Sequence, residues 1–577
     1  MTSNTNKTSD FWKAVRNNAK LQHQTAIKPV SRDKNIPLSF GQERIWSIEQ
    51  LQTDNVAHNL RAVFQLTGEL EVAILEKSFQ EIIQRHEILR TTFTIIDEKP
   101  VQIIVPELII KLSIEEIQQA DIKNSATKEA QQVFDLTKGP LLRIKLLRLA
   151  KDEHILLLTT HHMINDRWST SLFIRELATL YAAFIANKPA SLPKLPIQYA
   201  DFAQFQRLQK LDSQLDYWRQ QLKGELPVLQ LPTDFKSQII PTYQGATQYL
   251  TLSNSLVTSL KALAKQEGIS LYVVLLTVFK ILLYQYSQQE DIITCSPIAG
   301  RYRIETKKLI GYFSNLVLIR ANLAGNPSFK ELAKRVSQVT LDINQNQDLP
   351  LQKLANSLNI SSQILSRTLF ALQNVPNQPA KMADIDISSL DIEEGIANFD
   401  LFLSMKPKGE EIISILRYKT ELFKQATIIQ LLANFQTLLE KLVKNPNIQL
   451  TDLPCFETVQ LTDIIVDYVA PRKESEQIIA KVWQEVLQQE KIGIYANFFD
   501  IGGRSLAVVA VCDKLQKLFD REIAVAELFK SPTISAMAQY LSKKQQGQDF
   551  SKIRDRTAKQ KMANQKRMMK LRKRVKI

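Results

Sequence analysis

The chain has 577 residues, of which 44% are hydrophobic and 23% charged, with a formal net charge of +15. That length suggests roughly two to four units of about 150 residues, and the composition is that of a globular protein able to bury a large core, not of a disordered chain. Twelve Lys/Arg and the single acid Asp555 lie between Ser551 and Ile577, so +11 of the +15 belongs to a tail and +4 to the first 550 residues. A nucleic-acid role for the main body thereby loses most of its support.

Cys295, Cys455 and Cys512 are widely separated and form neither a disulfide framework nor a zinc spacing. No apolar run approaches the roughly 18–20 residues of a membrane span. The opening MTSNTNKTSDFWKAV lacks the apolar centre of a secretory signal. A cytoplasmic chain, with no membrane and no nucleic-acid partner, is expected.

In chain order, residues 1–35 are polar, with one short helix expected over Asp10–Gln22. Apolar density rises at Pro37. EVAILEKSFQEIIQRHEILR (71–90) places apolar residues three and four apart, as an amphipathic helix does. TTFTII, VQIIV and LLRIKLLRL read as strands, rich in branched residues. HILLLTT (154–160) is nearly all apolar and reads as a buried strand, and the segment from Trp168, WSTSLFIRELATLYAAFIA, has helical spacing. SLYVVLLTVFKILLYQY (270–286) predicts a helix buried on most sides. The pattern is that of a large α/β body without solenoid repeats. It breaks over 454–475, read as a linker, after which EQIIAKVWQEVLQQ, SLAVVAVCDKLQKLF and PTISAMAQYLSKK predict three short helices of a compact bundle. Pro532 is expected to start the last of them.

Two stretches carry chemistry. HHMINDRWS (161–169) lies between a buried strand and a helix, a turn of the kind that puts side chains into a cleft above a rigid sheet. Adjacent strand residues point to opposite faces, so one of His161 and His162 faces the cleft and the other packs inward. A neutral imidazole there can act as a general base. The pair also fits two satisfied polar residues at a strand end. Two histidines and one Asp are an incomplete metal set, and no metal is expected. In NFFDIGGRSLAVV (497–509), Gly502 and Gly503 permit a tight turn before Ser505 at a helix start. Ser505 there is either an N-cap or a site that favours an anionic group.

HHxxxD followed by a helix resembles the active-site motif of nonribosomal peptide synthetase condensation domains, relatives of chloramphenicol acetyltransferase. The resemblance runs from 37 to 455 through PLSFGQERIWSIEQL, RHEILRTTF, YADFAQFQ, SPIAGR, LIGYFSNLVLIR, NQDLPLQKL, RTLFALQN and NFDLFLSM, in order. It implies an α/β (α+β) domain of two acetyltransferase-like lobes with His162 catalytic, as base or as positioner of the attacking amine. Asp166 is then structural, with Arg301 of SPIAGR its candidate partner, and His161 a packing residue. Two positions depart from the pattern: Arg167 stands where the family usually has glycine, and Asn346 replaces histidine in NQD. Arg167 removes backbone freedom, adds a charge beside the tunnel and is able to compete for Asp166.

GGxSL after FF, introduced by YVAPR, resembles the attachment site of peptidyl carrier domains over 468–543. It implies a small all-α four-helix bundle with 4'-phosphopantetheine joined covalently to Ser505 by a phosphopantetheinyl transferase. The expected organisation is an N-terminal segment (1–35), a condensation domain (36–455), a linker (456–468), a carrier domain (469–545) and a basic tail (546–577), both termini being possible docking segments toward neighbouring synthetase proteins. The resemblance implies amide formation between a donor acyl group from an upstream carrier and an acceptor on Ser505. With no adenylation domain between the two, loading is expected from an adenylation enzyme in trans. Ester formation, a soluble amine acceptor, or a degenerate condensation domain serving as scaffold are the alternatives.

Overall fold

The computed structural model describes residues 26–542, except 52–55, 190–191, 236–243, 374–379, 392–394, 455, 457–468, 488, 497, 499–500, 502–504, 520, 522, 524–526 and 529–530. The expected helix over 10–22, almost all of the expected linker and the basic tail lie outside the described residues. Residues 236–242 aside, the chain divides into two compact units, the larger ending at Val459 and the smaller beginning at Gln460.

The larger unit is a two-lobed α/β fold with one six-stranded sheet in each lobe. The first lobe centres on Glu153–His161, the strand expected from HILLLTT. Asn59–Thr67 and Leu142–Ala150 pair antiparallel on either side of it, with Leu66 opposite His154 and Leu146 opposite Leu156. Leu156 and Leu158 pack on one face of this strand, and Ile155 and Leu157 pack on the other against Ile122 and Ala126 of helix Ile122–Ala130. Both faces are therefore buried, which explains its continuous apolar run. Helices Val72–Arg85 and Arg167–Ile185 bury Phe79, Ile82, Phe173 and Leu177 in the same core. The expected helix over 71–90 stops at Arg85: His86 takes an extended conformation and Glu87–Arg90 form a short 3-10 turn. Ala380–Met382 and Ile385–Ser389 come from much later in the chain, yet they extend this first sheet: Ile385–Ser389 pairs antiparallel with Asn59–Thr67, and Ala380–Met382 pairs antiparallel with Ile385–Ser389.

The second lobe's sheet runs in the order Asn315–Asn322, Asp291–Ile298, Thr368–Leu372, Leu401–Lys408, Glu411–Lys419, Gly245–Leu252. Its core takes nearly every residue of the helix Leu271–Ser287, as the sequence predicts. Among the described residues no single helix is long and apolar enough to cross a membrane. The smaller unit contains Glu474–Leu487, Ser505–Phe519 and Ile534–Ser542 around Trp483, Phe498, Val511, Leu515 and Met537. Pro532 does not start the last helix. Helix geometry begins at Ile534, and the Thr533 hydroxyl accepts from the Ala536 amide at 3.1 Å, so the cap sits one residue after the proline.

The buried helix Leu271–Ser287 carries an unexpected charge. Lys280 is fully buried, and its Nζ donates to the Ile319 carbonyl (2.8 Å), the Thr294 hydroxyl (3.1 Å) and the Ile292 carbonyl (3.2 Å). Burial pushes its pKa down to about 7. Because the folded value lies below that of the unfolded chain, the unfolded state binds more protons between that pH and about 10, and stability rises with pH across that window. Below it, the full cost of burying the ammonium is present. From pH 7.5 to 9.5 the wild-type unfolding free energy is expected to rise by about 2 kcal/mol more than that of Lys280→Met. Urea unfolding at both pH values checks this, and parallel behaviour of the two proteins contradicts it.

Candidate active site and carrier site

The loop between strand Glu153–His161 and helix Arg167–Ile185 is organised by Asp166. It is the N-cap of the helix, and its Oδ1 accepts from the Ser169 amide at 2.7 Å. Oδ1 also accepts from Arg301 Nη2 at 3.2 Å, while Oδ2 accepts from the Phe313 amide at 3.1 Å and the Ser314 hydroxyl at 3.3 Å. Asp166 and Arg301 are both buried. The guanidinium is held in turn by the Thr306 and Leu309 carbonyls, at 2.7 and 2.6 Å, by the Ser169 hydroxyl at 2.5 Å, and by the face of Phe313 at 4.2 Å. Gly300, with φ +63°, lets the chain turn there; a Cβ at that position would lie 2.0 Å from the Phe313 carbonyl oxygen. The structure thus brings Asp166 and Arg301 together as one buried pair joining the two lobes.

The two histidines separate. His161 is buried, and its Nδ1 accepts from the Met163 amide at 3.3 Å, which leaves the proton on Nε2, directed at Glu49 Oε1 3.7 Å away. His58 Nδ1 reaches the same oxygen at 2.5 Å. Burial alone would raise the Glu49 pKa, but the hydrogen bonds from His161 and His58 outweigh it and hold the carboxyl below its usual range. These three groups place one possible metal-ligating atom each within 4.8 Å of one another. The tautomer of His161 makes them a hydrogen-bonded network around one carboxylate instead. His58 also supports the site directly, since its carbonyl accepts from the His162 amide at 2.8 Å.

His162 is only partly buried. Its Nδ1 lies 2.7 Å from the Asn165 carbonyl oxygen, and because a carbonyl only accepts, Nδ1 carries the proton and Nε2 the lone pair. The ring packs against Tyr312, with centroids 4.5 Å apart. Enclosure by protein pushes its pKa down to about 4, the Asn165 bond opposing the shift, so the ring is neutral at pH 7. Tyr312 also lines a small cleft together with Phe40, Arg44, Asn315 and Leu351. Arg167 is exposed and donates from Nη1 to Gln373 Oε1 at 2.9 Å, in the second lobe. Asn346 closes its own helix: its Nδ2 donates to the Asp342 carbonyl at 2.9 Å, and its carbonyl accepts from Trp218 Nε1 at 2.9 Å.

Sequence reasoning missed Glu49, His58, Glu176, Tyr312 and Gln373. Glu176 receives His86 Nε2 at 2.9 Å and Arg85 Nε at 3.2 Å, which fastens the RHE segment to the helix that begins after Asp166. RHEILRTTF and LIGYF were visible as motifs; their partners, more than 80 residues away, were not.

The described family Condensation domain matches residues 32–464, three quarters of the chain. The chain belongs to the condensation-domain family. A second family, described as Phosphopantetheine attachment site, matches residues 477–541. A condensation domain followed by a carrier domain is an arrangement of nonribosomal peptide synthetases, and the carrier family is one that bears covalent 4'-phosphopantetheine. The chain is 37% identical over 474 residues to a linear gramicidin synthase polypeptide of Brevibacillus parabrevis, covering 79% of this chain and 9% of that protein. It is 32% identical over 500 residues to gramicidin S synthase 2 of Brevibacillus brevis, covering 82% and 11%. The chain therefore spans about a tenth of the length of these relatives.

Among solved structures, the X-domain from teicoplanin biosynthesis matches with a TM-score of 0.69 at 24% identity, over 75% of this chain and all of that one. The first condensation domain of the calcium-dependent antibiotic synthetase, in complex with a substrate analogue, matches with a TM-score of 0.64 at 16% identity, over 74% of this chain and all of that one. At these identities the likeness shows the fold, a two-lobed chloramphenicol-acetyltransferase-like body.

In the carrier domain Ser505 is the first residue of the 15-residue helix Ser505–Phe519, whose Val508, Val511, Cys512 and Leu515 are packed in the core. A serine at the start of a helix anchored in this way fits a phosphodiester, because the unpaired amides of the first turn favour an anion. Gly502 and Gly503 lie outside the described residues.

Replacing Arg301 by leucine leaves Asp166 buried without its cation. The expected loss is about 3–5 kcal/mol of stability, with only partial recovery in Arg301→Lys, which cannot reproduce the forked contacts. Denaturant unfolding measures it, and a loss under about 1 kcal/mol would contradict a structural pair.

Proposed function

We propose that this protein forms an amide bond between a donor acyl group delivered as a thioester by an upstream carrier and an acceptor amine borne on Ser505. The observation that carries the reading is the His162 Nδ1–H bond to the Asn165 carbonyl at 2.7 Å, which leaves Nε2 of a neutral ring as a proton acceptor. When attached to the Ser505 hydroxyl, 4'-phosphopantetheine supplies a flexible thiol on which the acceptor is held as a thioester. The amine attacks the donor carbonyl, the C–N bond forms and the donor C–S bond breaks. His162 Nε2 takes the proton from the nitrogen and returns it to the departing thiolate. Holding both reactants in one passage supplies much of the acceleration.

In this reading Asp166 and Arg301 hold the loop and transfer no proton, and His161 is a packing residue fixed by Glu49. Only twelve residues separate the two family matches, which end at 464 and resume at 477, too few for an adenylation domain. An adenylation enzyme acting in trans then supplies the acceptor, and a phosphopantetheinyl transferase modifies Ser505.

The test follows transfer of a radiolabelled donor from a loaded carrier onto the aminoacylated protein. His162→Ala is expected to slow transfer about 10²–10⁴-fold, and Ser505→Ala to abolish labelling of the chain. Undiminished transfer in His162→Ala would overturn the role of His162, and labelling of Ser505→Ala would overturn the attachment site.

A further inference from the structure

Arg167 and Asp166 are neighbours in sequence, but they tie the active-site loop to different strands of the second lobe. Asp166 holds Phe313 and Ser314, immediately before strand Asn315–Asn322, and Arg167 holds Gln373, immediately after strand Thr368–Leu372. Strand Asp291–Ile298 lies between those two, antiparallel to the first and parallel to the second, so both ties meet the same end of the sheet. Two strand spacings put the ties about 10 Å apart across the sheet.

The ties differ in kind. Asp166 is buried, pairs with a buried cation and accepts from four donors in all. Arg167 is exposed, and its bond to Gln373 is to a neutral amide. Gln373 is prepared to receive it. Its backbone amide donates to the Met405 carbonyl at 2.8 Å and its Nε2 to the buried Ser404 hydroxyl at 2.6 Å, which turns Oε1 toward a guanidinium that has only donors to offer. A bond from an exposed side chain to a neutral acceptor opens and recloses rapidly, whereas the buried ionic tie stays closed.

We propose that Arg167 and Gln373 form an openable clasp across the seam between the lobes, and that this clasp limits the size of the group that reaches His162. Arg167 then acts as a specificity-determining residue, with the Asp166 tie as the fixed side of the same seam. The inference rests on the reading of His162 as the reaction centre.

The test uses the full holo chain and its Arg167→Gly, Gln373→Ala and double variants. Transfer is measured with a short donor, an acetyl thioester, and a bulky one, a phenylalanyl thioester. In the wild type the short donor is expected to be favoured at least tenfold. Each single variant should bring that ratio to within about threefold of unity, and the double variant should change it no further, because the two residues share the bond that closes the clasp. Hydrogen exchange provides a second reading that does not depend on turnover: in both single variants, amides at 167–171 and 368–373 should exchange faster than in the wild type, with the strand Glu153–His161 unchanged. An unaltered donor ratio in all variants overturns the clasp while leaving the role of His162 intact. A ratio moved by Arg167→Gly but not by Gln373→Ala also overturns it, since side-chain bulk would then be the cause. No transfer of either donor by the wild type or by any variant overturns the reading of His162 as a reaction centre and, with it, the clasp as a control on transfer.

Discussion

A buried carboxylate with no water to turn to must be met by protein donors on every side, and Asp166 meets that demand from both lobes at once. One donor is the first turn of its own helix, and the others are Arg301 and the segment leading into strand Asn315–Asn322. Satisfying this group fixes where the second lobe's sheet meets the loop after strand Glu153–His161. The residue before it, Asn165, is held separately, by its Nδ2 on the Thr160 and Thr170 hydroxyls at 2.9 and 2.8 Å, which presents its carbonyl to His162. Asp166 thus bears on the chemistry by placing the loop. The Asn165 carbonyl determines which nitrogen of His162 carries the proton, and enclosure by protein lowers the ring's pKa so that it is neutral at pH 7.

Much of this was legible from residues alone. The apolar run 154–160 announced a central strand, and the helical spacing after it announced the helix that Asp166 caps. The unequal fates of His161 and His162 followed from the alternation of strand side chains. The carrier domain's helices were readable from their spacing, although the proline expected to open the last one yields to a threonine whose hydroxyl can cap.

What stayed hidden was long-range. The return of Ala380–Ser389 to the first lobe's sheet depends on a register set across more than 300 residues, and a short strand carries no local mark of its partner. Glu49 and His58 look like ordinary surface residues until they close around His161. Lys280 interrupts an apolar helix in a way that composition averages away, and only the carbonyls above it explain its place. Gln373 had no sequence signal connecting it with Arg167. The departure at Arg167 was visible from the motif, but its consequence lay in a residue 206 positions away.

The fold delivers a neutral His162 with its lone pair on Nε2. Nitrogen-15 NMR of histidine-labelled protein, with His162 assigned by its loss in the His162→Ala variant, reads the tautomer and the ionisation together. The account predicts the Nδ1–H tautomer at pH 7 and a titration midpoint near 4. A midpoint near 6.5, the usual imidazole value, or an Nε2–H tautomer at neutral pH would contradict it.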